Sequence, residues 1–212
     1  MITETTSVAS TAPAMFDPPS GRRTYYDLLM SPLEAAGLRK LRRLLIAHAR
    51  GDVLEIGVGT GANLAFYDPD CRVIAIDLEQ VALELARTKA EATHRPVCFI
   101  RGSGHPLCFP DMAFDTVVVT LALCSVLRPK SIMNEIRRVL KPGGQLLLME
   151  HVRSQVRVIG YLQDQLTPAW CKIAHGCHLN RPTERDVLQA GFRPVYTRTL
   201  LMGFLMFGLY QV

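Results

Sequence analysis

The chain has 212 residues, a net charge of +5, and a composition that is 49% apolar and 20% charged. This length suggests one domain with a substantial core, and the balance of residue types is that of an ordinary globular protein. The basic residues are scattered and are not interleaved with aromatic ones, which argues against a nucleic-acid partner.

The first twenty residues are rich in Ser, Thr, Ala and Pro and lack the basic and apolar segments of a secretory signal. They predict a disordered leader, 1–20, in front of a domain that spans 21–212. The six cysteines form no C-x-x-C pair. We therefore expect a reduced, cytoplasmic chain. The apolar run over 199–210 is too short to span a bilayer, so no stable membrane anchor is expected.

Predicted strands and helices alternate along most of the chain. Hydrophobic periodicity and turn signals predict helices over 25–49, 79–92, 129–140 and 183–190, with a further helix opening at 62–66 and Thr183 as an N-cap. Strands are predicted over 53–56, 72–77, 97–100, 115–120 and 145–149, and two more fit within 192–212. This alternation indicates an α/β fold with a doubly wound parallel sheet. Segment 152–182 interrupts it and is predicted to cover a ligand crevice at the carboxyl edge.

The stretch from Val53 to Asn63 reads V-L-E-I-G-V-G-T-G-A-N, a strand followed by three closely spaced glycines. Glycines let a backbone approach a nucleotide without a Cβ clash. Asp77 ends the next predicted strand about twenty residues later, where a carboxylate accepts the hydroxyls of a ribose. Glu55, beside the turn, would repel a pyrophosphate and suits a positively charged ligand. S-adenosylmethionine has a ribose, an ammonium and a sulfonium group, and no phosphate.

The glycine stretch, together with I-A-I-D, F-P-D-M-A-F-D and R-R-V-L-K-P-G-G, resembles the class I S-adenosylmethionine-dependent methyltransferases. The resemblance implies a Rossmann-like, seven-stranded sheet whose last strand is antiparallel. It implies S-adenosylmethionine as cofactor and S-adenosylhomocysteine as product. Asp77 would take the ribose hydroxyls, Leu78 would pack on adenine, and Ser103 stands where the family often has an aspartate. The expected cofactor-binding residues are Glu55, Gly57, Gly59, Gly61, Asn63, Asp77, Leu78, Ser103, Gly104, His105 and Thr120.

Four further segments, T-L-A-L-C-S-V, M-E-H-V, T-P-A-W and H-G-C-H-L-N-R-P-T, resemble methyltransferase-like enzymes that methylate small thiols, including thiols of natural products. The resemblance implies S-methylation of a small hydrophobic molecule by a monomer or homodimer. A thiol is already partly ionised at neutral pH, so one histidine would suffice as base. The candidates are His151, at the end of the fifth strand, and His178. The expected substrate-binding residues are Tyr25, Tyr26, Leu121, Trp170 and His175.

Other interpretations remain open from the sequence. His151 and His178 would equally suit structural roles, and a thiol acceptor needs no base at all. Two other functions fit the same cofactor motif. One is methylation of a phospholipid amine or a quinone-type ring, and the other is binding of the cofactor without catalysis. Cys171, His175, Cys177 and His178 lie close in sequence, but their spacing matches no common zinc pattern. We therefore predict no metal and a loop with a buried cysteine.

Overall fold

The structure, a computed structural model, describes residues 37–174 and 176–212. The predicted leader 1–20, the first part of the predicted first helix with Tyr25 and Tyr26, and His175 lie outside the described residues. In the described chain the helices are α1 (Arg39–Ile46), α2 (Gln80–Ala92), α3 (Pro129–Val139), α4 (Arg157–Ile173) and α5 (Thr183–Gln189). The strands are β1 (Asp52–Ile56), β2 (Arg72–Asp77), β3 (Val97–Arg101), β4 (Phe114–Thr120), β5 (Leu140–His151), β6 (Arg193–Leu200) and β7 (Leu205–Gln211).

The seven strands form one sheet in the order β3-β2-β1-β4-β5-β7-β6. The pairs among β1 to β5 are parallel, whereas β7 runs antiparallel to both β5 and β6. The sequence prediction of a mostly parallel sheet with an antiparallel last strand is confirmed. The strand order reverses between β1 and β4, and ligands of open α/β sheets bind outside the carboxyl ends of the strands at such a switch point.

The sheet is covered on both faces, and β4 shows why. Successive side chains of a strand point to opposite faces, and β4 has buried valines on both of them. Val118 packs with one core cluster, which includes Leu147 and Ala75. Val117 packs with the other, which includes Leu148 and Leu54. The carboxyl end of the central strands is therefore a rigid base for the loops that follow them.

Local structure differs from the prediction at three places. The helix expected to open at 62–66 is a single 3-10 turn, Leu64–Phe66. Pro69 follows shortly after and disfavours a helical conformation at the residue before it, so the helix does not extend. β5 begins at Leu140 rather than 145, with a register shift where the K-P-G-G turn is accommodated. The N-cap assignment of Thr183 is wrong, because α5 begins at that residue and Pro182 precedes it.

The segment predicted as an insertion, 152–182, contains the 17-residue helix α4. The Gln163 side chain joins it to its surroundings: its amide nitrogen donates to the carbonyls of Val152 (2.8 Å) and Leu179 (2.7 Å), and its oxygen accepts from the Ser154 amide. Both ends of the segment are thus held against the carboxyl edge of β5. In the described part of the chain, no helix is both long and apolar enough to cross a membrane.

A matched pair of valine substitutions tests the central position of β4. Val117 in β4 is 0% exposed, whereas Val195 in β6 is 59% exposed. Val117→Ala removes two buried methyl groups and should lower the free energy of unfolding by about 2 kcal/mol. Val195→Ala should change it by less than about 0.5 kcal/mol. Urea unfolding followed by circular dichroism gives both values, and equal losses would contradict this description of the core.

Candidate active site

The glycine turn after β1 lies against the loop after β4. Gly57, Gly59 and Gly61 all have positive φ angles, of 72°, 55° and 79°. A Cβ atom on Gly57 would lie 2.5 Å from the Cβ of Ala122, so no larger residue fits there. The Gly57 amide donates to the Ile76 carbonyl of β2, at 2.9 Å. The turn is therefore fixed between the ends of β2 and β4, and its glycines leave the backbone open to close approach by a ligand.

Asp77 and Leu78 form the edge of the turn on the β2 side. The Asp77 carboxylate accepts hydrogen bonds from the amides of Gly59 (2.8 Å) and Glu79 (3.0 Å). A carboxylate has about four lone-pair sites, so it accepts more than two hydrogen bonds. Leu78 beside it is an apolar side chain that is 64% exposed, which suits packing on an adenine ring. These residues fit the predicted cofactor.

Glu55 lies beneath the turn in a buried polar network. Its carboxylate accepts from the Asn63 amide and the Tyr67 hydroxyl, both at 2.8 Å. Asn63 also donates to the Thr120 hydroxyl, and Arg42 donates to both Thr120 (2.8 Å) and Asn63 (3.1 Å). Burial raises the pKa of Glu55 to about 7, against the lowering effect of its hydrogen bonds. The network joins α1, β1 and β4 under the expected cofactor site.

The loop after β3 carries the next predicted contacts. The Ser103 hydroxyl donates to the His105 carbonyl at 2.7 Å, so its proton is used within the loop. Gly104 lies close to Ile56 and Ile132: a Cβ atom on Gly104 would be 3.1 Å from the first side chain and 3.2 Å from the second, which is a tight contact. His105 is exposed. The loop thus presents Ser103 oxygen lone pairs and the His105 ring beside the end of β1.

Glu150, near the end of β5, organises the loop after β4. Its carboxylate accepts hydrogen bonds from three successive backbone amides: Ala122 (2.7 Å), Leu123 (2.8 Å) and Cys124 (3.2 Å). Burial raises the pKa of Glu150 to about 6, although the amides favour the ionised form. Leu121 precedes this loop with a φ of 55°. The carboxylate holds the loop, and with it Cys124, at one position relative to β5.

Two thiols and one imidazole meet at the end of β5, and we name Cys124, His151 and Cys177 the sulfur–imidazole cluster. One ligand atom of each lies within 4.8 Å of the other two. The Cys177 sulfur is 3.4 Å from His151 Nδ1. All three side chains are at most 9% exposed. The Cys124 thiol and, next, His151 lower the pKa of Cys177, whereas the pKa of Cys124 is raised, so the negative charge belongs on Cys177.

The segment 176–181 brings Cys177 to the cluster. The His178 amide donates to the Cys124 carbonyl at 2.8 Å, and Arg181 Nε donates to the same carbonyl at 3.0 Å. Arg181 also donates to the Val126 carbonyl. His178 Nδ1 lies 2.8 Å from the Gly176 carbonyl, so it is a donor there. His178 is consequently a residue that fastens this segment to the loop after β4.

The structure brings some predicted residues together and separates others. His151 and Trp170 lie at the cluster, while Thr120 lies in the Glu55 network and Leu121 between the two. Cys171 is not a member of the cluster, and its sulfur donates to the Cys177 carbonyl instead. Sequence reasoning missed the roles of Cys124, Glu150 and Arg181, as well as Arg42 and Tyr67. The positions of Cys124 and Glu150 at the ends of β4 and β5 were the available signal.

A groove of about 710 Å³ lies next to this region, on the side of β6. Val152 and Arg181 are among its lining residues, with others from α5 and from the β6–β7 connection. It does not include the glycine turn or the sulfur–imidazole cluster. We therefore regard it as a neighbour of the candidate site rather than as the site.

Comparison with known proteins places this geometry in a family. The methyltransferase domain model matches residues 54–148. Thiol S-methyltransferase TMT1B of Rattus norvegicus is 37% identical over an alignment of 189 residues that covers 82% of this chain and 77% of that protein. The chain belongs to the class I S-adenosylmethionine-dependent methyltransferases. Its cofactor is S-adenosylmethionine, as the glycine turn and Asp77 predicted.

Other similarities extend beyond thiol methylation. A phosphatidylethanolamine N-methyltransferase of Cereibacter sphaeroides is 37% identical to this methyltransferase over 115 residues, 52% of this chain and 57% of that one. The crystal structure of BH2331 from Bacillus halodurans superposes with a TM-score of 0.65 at 26% identity, covering 77% of this chain and 71% of the other. The family and the fold are therefore shared by proteins named for different acceptors.

The buried Glu55 carboxylate of this methyltransferase makes stability depend on pH. Its folded pKa of about 7 lies above the ordinary glutamate value of about 4.5. The folded state therefore holds this proton more tightly, and stability falls as pH rises from about 4.5 to 7. Between pH 5 and 8, the free energy of unfolding should fall by about 2 kcal/mol less in Glu55→Gln than in the wild type. Urea unfolding at four pH values measures it, and parallel profiles for the two proteins would contradict the assignment.

Proposed function

We propose that this methyltransferase transfers a methyl group to the thiol of a small hydrophobic molecule. The observation that carries the proposal is the sulfur–imidazole cluster at the carboxyl ends of β4 and β5. Its Cys124 follows two residues after Ala122, which lies against Gly57 of the glycine turn. An acceptor bound beside this cluster would lie near the His151 imidazole, and a thiol needs no more than one such group to take up its proton. The cofactor supplies a methyl group on a sulfonium sulfur.

The charges near the cluster argue against a cationic amine as acceptor. Such an amine is normally held by a free carboxylate or an aromatic cage. Glu150 is the carboxylate next to His151, and it is already bound by three backbone amides. Arg181, held on the same loop, adds positive charge. Both features support a neutral or anionic acceptor over a phospholipid amine, despite the similarity to a phosphatidylethanolamine N-methyltransferase.

In this proposal each residue has a limited role. Asp77, with Leu78, Ser103, Gly104 and His105, holds the nucleoside end of the cofactor. Glu55, Asn63 and Thr120 support the turn from below. His151 is the catalytic candidate, because its ring is in the cluster and is fixed edge-on against Phe204 at 5.4 Å. His178 is a positioning residue, and the segment 152–182 excludes water from the acceptor. Leu121 and Trp170 provide apolar surface for it, with Tyr25, Tyr26 and His175 as further candidates.

An acceptor panel tests the proposed function. The purified protein is incubated with methyl-labelled S-adenosylmethionine and, separately, an alkyl thiol, a dithiol, phosphatidylethanolamine vesicles and a quinol. We expect transfer to the thiols and no transfer above background to the vesicles or the quinol. Transfer to vesicles or quinol alone would replace the proposed acceptor. Cofactor binding by calorimetry with no transfer to any acceptor would favour a non-catalytic binding protein.

The role of Asp77 is tested by cofactor affinity. Asp77→Asn removes the charge and one acceptor oxygen, so the Kd for S-adenosylmethionine should rise at least about tenfold. Asp70→Asn changes the same residue type in an exposed loop and should leave that Kd unchanged. Isothermal titration calorimetry measures both. An unchanged Kd for Asp77→Asn, with an unchanged melting temperature, would remove Asp77 from the cofactor site.

A further inference from the structure

We propose that the sulfur–imidazole cluster is a metal site, with Zn²⁺ bound by Cys124 Sγ, His151 Nδ1 and Cys177 Sγ. Zinc binding by these three residues does not depend on the proposed function. Only the binding of an acceptor thiol at the fourth coordination position rests on it. Nothing in the spacing of these residues in the sequence suggests a zinc motif. They come from three different parts of the fold, and only the sheet topology brings them together.

The distances suit tetrahedral coordination after a small contraction. Zinc bonds of about 2.3 Å to sulfur and about 2.0 Å to nitrogen place neighbouring ligand atoms roughly 3.5 to 3.8 Å apart. The Cys177 sulfur and His151 Nδ1 are 3.4 Å apart, and all three ligand atoms lie within 4.8 Å of one another. Two thiolates and an imidazole are ligands that zinc prefers over harder cations such as magnesium or calcium.

Neighbouring groups hold Cys124 and His151 in place. Cys124 is held through its amide by Glu150 and through its carbonyl by His178 and Arg181. The His151 ring lies edge-on to Phe204. Cys124 and Cys177 are both buried, and a bound cation would give their sulfur atoms a strong partner in place of the weak hydrogen bonds that thiols make.

Trp170 supplies an independent observation. Its indole Nε1 is buried and has no hydrogen-bond partner of good geometry among the described residues. Trp170 packs against Cys124 and Cys177, so this N–H group lies beside the proposed ligands. Hydrogen bonds from neighbouring groups to the ligand atoms orient the ligands of metal sites. Metal binding would thus account for an otherwise unpaired polar atom.

Three protein ligands leave the fourth position open, as in catalytic zinc sites. An acceptor thiol that binds there releases its proton to solvent and remains as a thiolate. Its sulfur then forms a bond to the methyl carbon, while the bond from that carbon to the sulfonium breaks and leaves its electron pair on the departing sulfur. With two cysteine thiolates and one acceptor thiolate, the site carries a net charge of about −1, which favours attack on a cationic donor. In this arrangement His151 binds the metal instead of accepting a proton.

The test is metal content of the untagged full chain, purified under reducing conditions from zinc-supplemented medium. We expect about one zinc ion per chain by inductively coupled plasma mass spectrometry. Cys124→Ser, Cys177→Ser and His151→Ala should each lower it several-fold, and the double cysteine variant at least tenfold. Cys71→Ser changes another buried cysteine, outside the cluster, and should retain the metal. Circular dichroism confirms that each variant is folded.

Two further measurements test the site even if the cysteine variants fail to fold: the spectrum of the Co²⁺-substituted protein and the zinc affinity of Trp170→Phe. Co²⁺ in this site should give the visible bands of a tetrahedral ion and thiolate charge-transfer absorption, both absent in the double cysteine variant. Trp170→Phe should weaken zinc binding about tenfold in competition with a chromophoric chelator. Metal content that is negligible, or equal in wild type and the double variant, would overturn the site, as would a Cys124–Cys177 disulfide in the purified protein.

The same samples separate failure of the metal site from failure of the proposed function. Adding an alkyl thiol should shift the Co²⁺ spectrum, and zinc removal by a chelator should abolish thiol methylation. Thiol methylation that survives complete zinc removal would refute the catalytic metal and leave the proposed function standing. A metal that is bound by the three ligands, with no spectral shift and no methylation of any thiol, would refute the proposed function and keep the site.

Discussion

The hydrogen bonds from three successive backbone amides to the Glu150 carboxylate hold the candidate site together. They bind the loop after β4 to the end of β5, and both sides of the sulfur–imidazole cluster depend on that junction. An unpaired buried amide costs about 1 to 3 kcal/mol, so the loop has no comparable alternative to this arrangement. The carboxylate is itself buried, and only multiple donors make an ionised group tolerable there. This anchoring is a structural role, although Glu150 lies beside the residues proposed for catalysis.

Two supporting layers surround that junction. On the cofactor side, the network of Glu55, Asn63, Thr120 and Arg42 underlies the glycine turn. On the acceptor side, Arg181 and Gln163 fasten segment 152–182 to the loop after β4 and to the end of β5. Both layers use side chains that bond to backbone or to buried partners, which fixes geometry better than surface ion pairs do. The residues proposed for the reaction are therefore held by buried polar contacts at the edge of the sheet.

The fold could be predicted because its signals are local. The glycine turn, the alternation of strands with helices and Asp77 at the end of a strand each occupy a short stretch of sequence. The cluster could not be predicted in this way, because Cys124, His151 and Cys177 lie more than twenty residues apart in the chain. Nearness in sequence brought Cys177 together with Cys171 and His178 instead, and that spacing predicted no metal. The polar atoms of Cys171 and His178 bond to nearby backbone carbonyls. Tyr67 and Arg42 were missed for the same reason, since only tertiary packing brings them to Glu55.

The strand order also has a consequence for how the polypeptide is made. β7 lies between β5 and β6, yet it is synthesised after both. Until residues 205–211 leave the ribosome, β6 has no neighbour to pair with, and β5 presents an unpaired edge of fully apolar residues, Leu146 to Met149. Such edges pair readily with other chains. A partly folded chain that lacks β7 therefore exposes a strand edge on which another chain can pair.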